Sequence, residues 1–114
     1  MDVSALIGEE LKSVCFVEDY LELCFGEAKV TFFAWPHVLL TEFSVAYGEP
    51  EYRNAVCAQI GEQVAEASLE QGAALTIELQ NGVVFGLSLR EEDIDAPVSG
   101  NYSETGDAEN AEEF

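Results

Sequence analysis

Apolar and polar residues alternate along several stretches of this chain, and a period of two is the mark of half-buried strands. Leu75, Ile77 and Leu79 interleave with Thr76 and Glu78, and Phe85, Leu87 and Leu89 alternate beyond Gln80-Asn81-Gly82. Phase decides how the two are joined. A two-residue Asn81-Gly82 loop would oppose Leu79 to Val84 and turn Phe85 and Leu87 to the wrong face. A three-residue loop with Gly82 left-handed opposes Leu79 to Val83 and Ile77 to Phe85, and is the predicted turn. Earlier in the chain, Val14 and Phe16 lead through Glu18-Asp19 to Leu21, Leu23 and Phe25, after which Gly26-Glu27 turns into residues 30–35. Pairing across Glu18-Asp19 sets Phe16 opposite Leu21 and Val14 opposite Leu23. Cys15, Glu22 and Cys24 then share the other face, with the two cysteines diagonal at best and poorly placed for a disulfide.

Each meander follows a short helix closed by glycine. Tyr52, Val56 and Ile60 recur at helical spacing behind Pro50, and Gly61 supplies the left-handed stop. In the first half Asp2 or Ser4 caps a turn in which Val3, Leu6 and Ile7 face inward and Gly8 ends the element. The two segments match: Leu6-Ile7-Gly8-Glu9-Glu10-Leu11 aligns with Gln59-Ile60-Gly61-Glu62-Gln63-Val64. Further on, Phe16 aligns with Leu69, Leu21 with Leu75, Leu23 with Ile77 and Phe25 with Leu79. The predicted fold class is α+β and β-rich: two tandem units of short helix plus antiparallel β-meander, residues 2–47 and 48–90, forming one pseudo-symmetric domain over 1–95. Residues 37–48 extend the first unit as an apolar arm. Residues 96–114, rich in acids, Gly, Ser and Asn, are expected to form a disordered acidic tail with Phe114 frayed. The Ile-Gly-Glu-x-hydrophobic element followed by a Leu-x-Leu-x-Phe hairpin resembles small, functionally uncharacterised bacterial proteins whose β-meander begins with Leu-Ile-Gly. That resemblance covers Leu6 to Phe33 and Ile60 to Leu89, and implies no catalytic residues.

Charge changes the picture. The chain carries 23 acids against 4 bases, a formal net charge of −19. Residues 1–90 keep most of the imbalance, more than solubility alone requires. Phosphate neutralisation needs clustered Lys and Arg, and Lys12, Lys29, Arg53 and Arg90 are scattered, so direct nucleic-acid binding and anionic membrane surfaces are disfavoured. Basic surfaces are attracted instead. No apolar run approaches the length of a membrane span, and the first residues do not read as a signal peptide, so a cytoplasmic location is expected.

Chemistry is sparse. His37 is the single histidine, and it follows Trp35-Pro36 at a strand exit, where a rim position is expected. Cys15, Cys24 and Cys57 have no metal-ligand spacing, and neither a phosphate loop nor an EF-hand loop is present. No catalytic residue, metal or cofactor is assigned, and the chain is not expected to be an enzyme. The predicted function is an acidic protein-binding inhibitor of immunity or antitoxin type, covering a basic partner such as a nuclease toxin domain. The alternatives are an interaction or structural domain without a charge-specific role, and a nucleic-acid mimic. The expected partner-binding residues are Glu18, Asp19, Glu22, Glu62, Glu66, Glu70 and Glu78, with Trp35 or Tyr52 as aromatic anchors if exposed.

Overall fold

The computed structural model describes residues 2–93, 98–107 and 111–114. A 3-10 turn over Ser4–Leu6 leads into β1 (Leu11–Val17), β2 (Tyr20–Phe25) and β3 (Ala28–Phe32). Two short strands follow, β4 (His37–Leu39) and β5 (Ser44–Val45), then helix α1 (Tyr52–Cys57). The second meander is β6 (Val64–Glu70), β7 (Ala74–Leu79) and β8 (Val84–Ser88). A 3-10 turn at Glu91–Asp93, β9 (Gly100–Ser103) and β10 (Glu112–Glu113) complete the described elements. The strands form two antiparallel five-stranded sheets, ordered β1-β2-β3-β9-β10 and β5-β4-β8-β7-β6.

Alternation produces the core. Leu21, Leu23 and Phe25 of β2 and Leu75, Ile77 and Leu79 of β7 are buried, and they join Val30, Phe32 and Phe85 in one apolar cluster built from both sheets. The hairpin registers agree with the sequence reading. Phe16 opposes Leu21, Val14 opposes Leu23, and Cys15 opposes Glu22; the three cysteines are free. Ile77 opposes Phe85, the Leu79 N–H donates to the Val83 carbonyl at 2.8 Å, and Gly82 has φ +91°. That positive φ is the left-handed position required by the three-residue loop.

Gly8 and Gly61 have the expected left-handed φ, 88° and 100°; Gly8 directly follows the Ile7 cap of the first 3-10 turn, whereas Gly61 lies three residues beyond the Ala58 cap of α1 and is not its immediate stop. Ile7 and Ile60, expected in the core, are instead exposed at 45% and 47%. The i, i+8 spacing aims Ile60 inward only if the α-helix runs to it. α1 ends at Cys57, and the Gln59 and Ile60 N–H groups bond to Val56 and Cys57 three residues back. The tighter winding shifts the phase of the side chains. Gln59 turns inward in place of Ile60, with its Nε2 donating to the Ala55 carbonyl and its Oε1 accepting from Asn81 Nδ2 at 2.8 Å. In the first half the single 3-10 turn buries Val3 and Leu6 but leaves Ile7 outside.

The two glycine segments meet and exchange backbone hydrogen bonds reciprocally. Gly8 N–H donates to the Val64 carbonyl and Gly61 N–H to that of Leu11, both at 2.8 Å. Leu11 N–H donates to the Glu62 carbonyl and Val64 N–H to that of Glu9, both at 2.9 Å. Glu10 and Gln63 form an isolated bridge between these pairs. Beyond this junction the sheets trade strands. β4 follows the first meander in sequence but pairs onto β8 of the second, carrying β5 on its other edge, whereas β9 follows the second meander and pairs onto β3 of the first. Residues 37–48 therefore do not extend their own unit's sheet.

The expectation of a disordered tail requires correction for the described residues. β9 sets Tyr102 against Val30 and Gly100 against Phe32. Phe114 is 8% exposed, its ring edge-on to Phe32 at 6.1 Å, and Ser99 N–H donates to the Phe114 carbonyl at 2.7 Å. Composition missed this because β3 would otherwise present an open edge, and a strand edge is satisfied by backbone groups that any sequence carries. The expected onset of the tail at Ala96 lies outside the described residues. A side chain at Gly100 would collide with the Thr31 carbonyl and the Phe114 ring.

Candidate partner-binding surface

The seven acids singled out from sequence fall in four places. Glu18 and Asp19 form the exposed β1–β2 turn. Glu22 lies on the outer face of β2, half-buried, with Lys29 Nζ at 3.7 Å from its carboxylate. Glu62 lies between α1 and β6, half-buried, in the junction where its carbonyl receives the Leu11 N–H. Glu66 and Glu70 are exposed positions of β6, and Glu78 is the direct cross-strand partner of Glu66. The fold therefore brings three of the seven, Glu66, Glu70 and Glu78, onto one outer strand face, with the Ser68 and Thr76 hydroxyls hydrogen-bonded between them at 3.1 Å. Glu22 stands on the outer face of the other sheet, and the core separates the two groups.

The two aromatic candidates differ. Tyr52 is 1% exposed and its hydroxyl donates to the Pro36 carbonyl at 2.6 Å, so it cannot be a surface anchor. Its place at the start of α1 turns it onto the core. Trp35 is half-buried and stacks on Tyr47 with centroids 4.1 Å apart and planes 10° from parallel. Sequence reasoning missed Tyr47, at 49% exposure, and Phe43, at 60%. The available signal is the apolar richness of residues 37–48, which has no counterpart in the second meander and by pattern alone points to core.

His37 is exposed and borders a cleft of about 580 Å³ together with Trp35, Ser88 and Asp93. In a nucleophilic triad the imidazole stands between hydroxyl and carboxylate. Here the Ser88 hydroxyl donates directly to Asp93 Oδ2 at 2.7 Å. Among the described residues, no three His, Cys, Asp or Glu side chains cluster to hold a metal ion. Among them too, no helix is long and apolar enough to cross a membrane.

Two tyrosines have phenols displaced above their ordinary range. Burial, and then the neighbouring Tyr47, raises Tyr52. Burial, followed by the carboxylates of Glu104, Asp2 and Glu112, pushes Tyr102 up to about 12. A raised phenol means that the folded state favours the protonated form. The associated stability is complete below the unfolded-state value near pH ~10 and is lost as pH climbs through the folded-state value. Thermal melts between neutral pH and strong alkali are expected to hold level to about pH 10 and then fall. The Tyr102 hydroxyl has no hydrogen-bond partner among the described residues. Tyr102→Phe should therefore leave neutral-pH stability intact and flatten the alkaline decline, because it removes an unpaired buried polar group along with the titration. A steep decline unchanged in Tyr102→Phe would assign the alkaline loss elsewhere.

Compared with family models, curated proteins and solved structures, the chain matches none.

Proposed function

We propose that this protein is an acidic binding protein that covers a basic protein partner, in the manner of an immunity or antitoxin protein acting on a nuclease toxin in the cytoplasm. The observation that carries this reading is the direct opposition of Glu66 and Glu78, with Glu70 on the same face. Like charges directly opposite on a sheet destabilise it. Among the described residues, the single salt bridge is Lys29 with Glu22, on the other sheet. A carboxylate face on rigid strands, in which none of Glu66, Glu70 and Glu78 has an ion-pair partner among the described residues, is ready for a cationic surface and needs no ordering on binding. The same reading takes the chain as a duplicated unit with exchanged strands. Its support is the reciprocal bonding of Gly8 with Val64 and Gly61 with Leu11.

The test is capture of partners at low salt and release at high salt, followed by measurement of affinity for the captured basic protein. Glu66→Lys with Glu78→Lys is expected to weaken binding about tenfold and to shrink its salt dependence. Glu18→Lys with Asp19→Lys serves as the comparison surface. Affinity and salt slope unchanged by the Glu66 and Glu78 reversals would remove this face from the function.

A further inference from the structure

Three aromatic rings form a continuous stack at one end of the core. Phe16 of β1 lies 6.3 Å from Trp35 with planes 14° apart, and Trp35 lies 4.1 Å from Tyr47 with planes 10° apart. Tyr52 meets all three edge-on, at 76°, 82° and 88°, and so braces the stack from the core side. A cation already uses this π system: the Arg53 guanidinium lies over Phe16, 5.5 Å from the ring centroid. Tyr47, the outermost ring, is 49% exposed.

The backbone holds Tyr47 firmly. Ala46 N–H donates to Glu49 Oε1 at 3.2 Å and Glu49 N–H donates back to the Ala46 carbonyl at 3.1 Å. The turn that carries Tyr47 is thus closed in both directions, with Gly48 at φ +99°. The same bond keeps the Glu49 carboxylate on the turn, and Glu42 and Glu51 are exposed on the flanking segments. The chain has only four basic residues. Among the described residues, Arg53 over Phe16 is the one cation–ring contact and Lys29 is engaged by Glu22. None of the basic side chains among the described residues lies over the Tyr47 ring, which leaves it open to a cation of a partner.

We propose that the exposed ring of Tyr47, backed by Trp35 and bordered by Glu49, is the docking point for an arginine side chain of the basic partner. The inference rests on the reading of the chain as a binder of basic protein, and adds the anchor. Arginine is favoured over lysine because a planar guanidinium lies flat on an aromatic face while its edge donates to a carboxylate; an ammonium does not combine the two. Electrostatic attraction from a net charge of −19 brings the cation in, and the ring gives the contact its selectivity.

Trp35 is the only tryptophan and lies directly beneath Tyr47, so its emission reports occupancy. The experiment is titration of the full chain with hexaarginine and hexalysine peptides at low salt. Hexaarginine is expected to change Trp35 emission and to bind several-fold more tightly than hexalysine. Tyr47→Ala should cut hexaarginine affinity about two- to five-fold, the range for a half-exposed cation–π contact, and leave hexalysine nearly unchanged. Tyr47→Phe keeps the ring and should keep the preference, and it guards against a folding defect in Tyr47→Ala. Equal affinity for the two peptides, or a hexaarginine affinity unmoved in Tyr47→Ala, would overturn the anchor. If both peptides bind with strong salt dependence in that case, the reading of an acidic binder survives without it. If neither binds at low salt, both are wrong.

Discussion

Ending the chain after residue 95 is expected to abolish its cooperative unfolding transition. Such a truncation removes β9, β10 and Phe114. Tyr102 and Phe114 are 3% and 8% exposed, and each large aromatic lost from a core costs about 3–5 kcal/mol. The cut also leaves β3 without the partner that now takes its Lys29 to Phe32 edge. Domains of this size have about 5–15 kcal/mol in total, so the sum of these losses reaches the whole reserve. Near-ultraviolet circular dichroism and thermal melting of the truncated chain check it. A sharp melt within a few degrees of the full chain would show that the segment only decorates the sheet. The milder change Gly100→Ala tests the same joint, because its Cβ would meet the Thr31 carbonyl and the Phe114 ring.

Tyr52→Ala has the second largest expected effect, a loss of about 3–5 kcal/mol. The ring is 1% exposed and is the shared edge-on neighbour of Phe16, Trp35 and Tyr47, so its removal opens a cavity against three aromatics at once. Tyr52→Phe isolates the hydroxyl, which donates to the Pro36 carbonyl at 2.6 Å. That substitution should cost about 1–3 kcal/mol, the range for a buried acceptor left unpaired. Melting temperatures of the two variants should therefore be ordered with Tyr52→Ala lowest. Trp35 emission should shift in Tyr52→Ala and stay near native in Tyr52→Phe, because only the former releases the stack. Equal losses in the two variants would place the contribution of Tyr52 in its hydrogen bond and not in packing.

These two predictions sit on opposite sides of what is legible in the chain. Spacing alone assigns Tyr52 and Val56 to the inner face of a helix, and both are buried. Acidic neighbours point Phe114 to a frayed end, and it is buried too. Among the candidate site residues, the solvent-facing placement of Glu66 and Glu78 is legible from alternation. Their direct opposition is not, because it follows from the register of the turn between Glu70 and Ala74, which alternation alone does not fix. Tyr47 is legible only as one more apolar residue.

The residues alone determined the local geometry: the strands of the β1–β2–β3 meander and of the β7–β8 hairpin, the pairing of Phe16 with Leu21 and of Ile77 with Phe85, and the left-handed glycines at positions 8, 61 and 82. Each of these follows from an interaction within a few residues, where the side-chain period of two or the steric freedom of glycine leaves one acceptable answer. Tertiary structure decided which sheet receives β4 and β9 and how residues 98–107 and 111–114 are ordered. Those outcomes depend on open sheet edges and on core volume, which are filled by backbone groups and aromatic rings brought from far along the chain. No window of sequence contains both the edge of β3 and the strand that closes it.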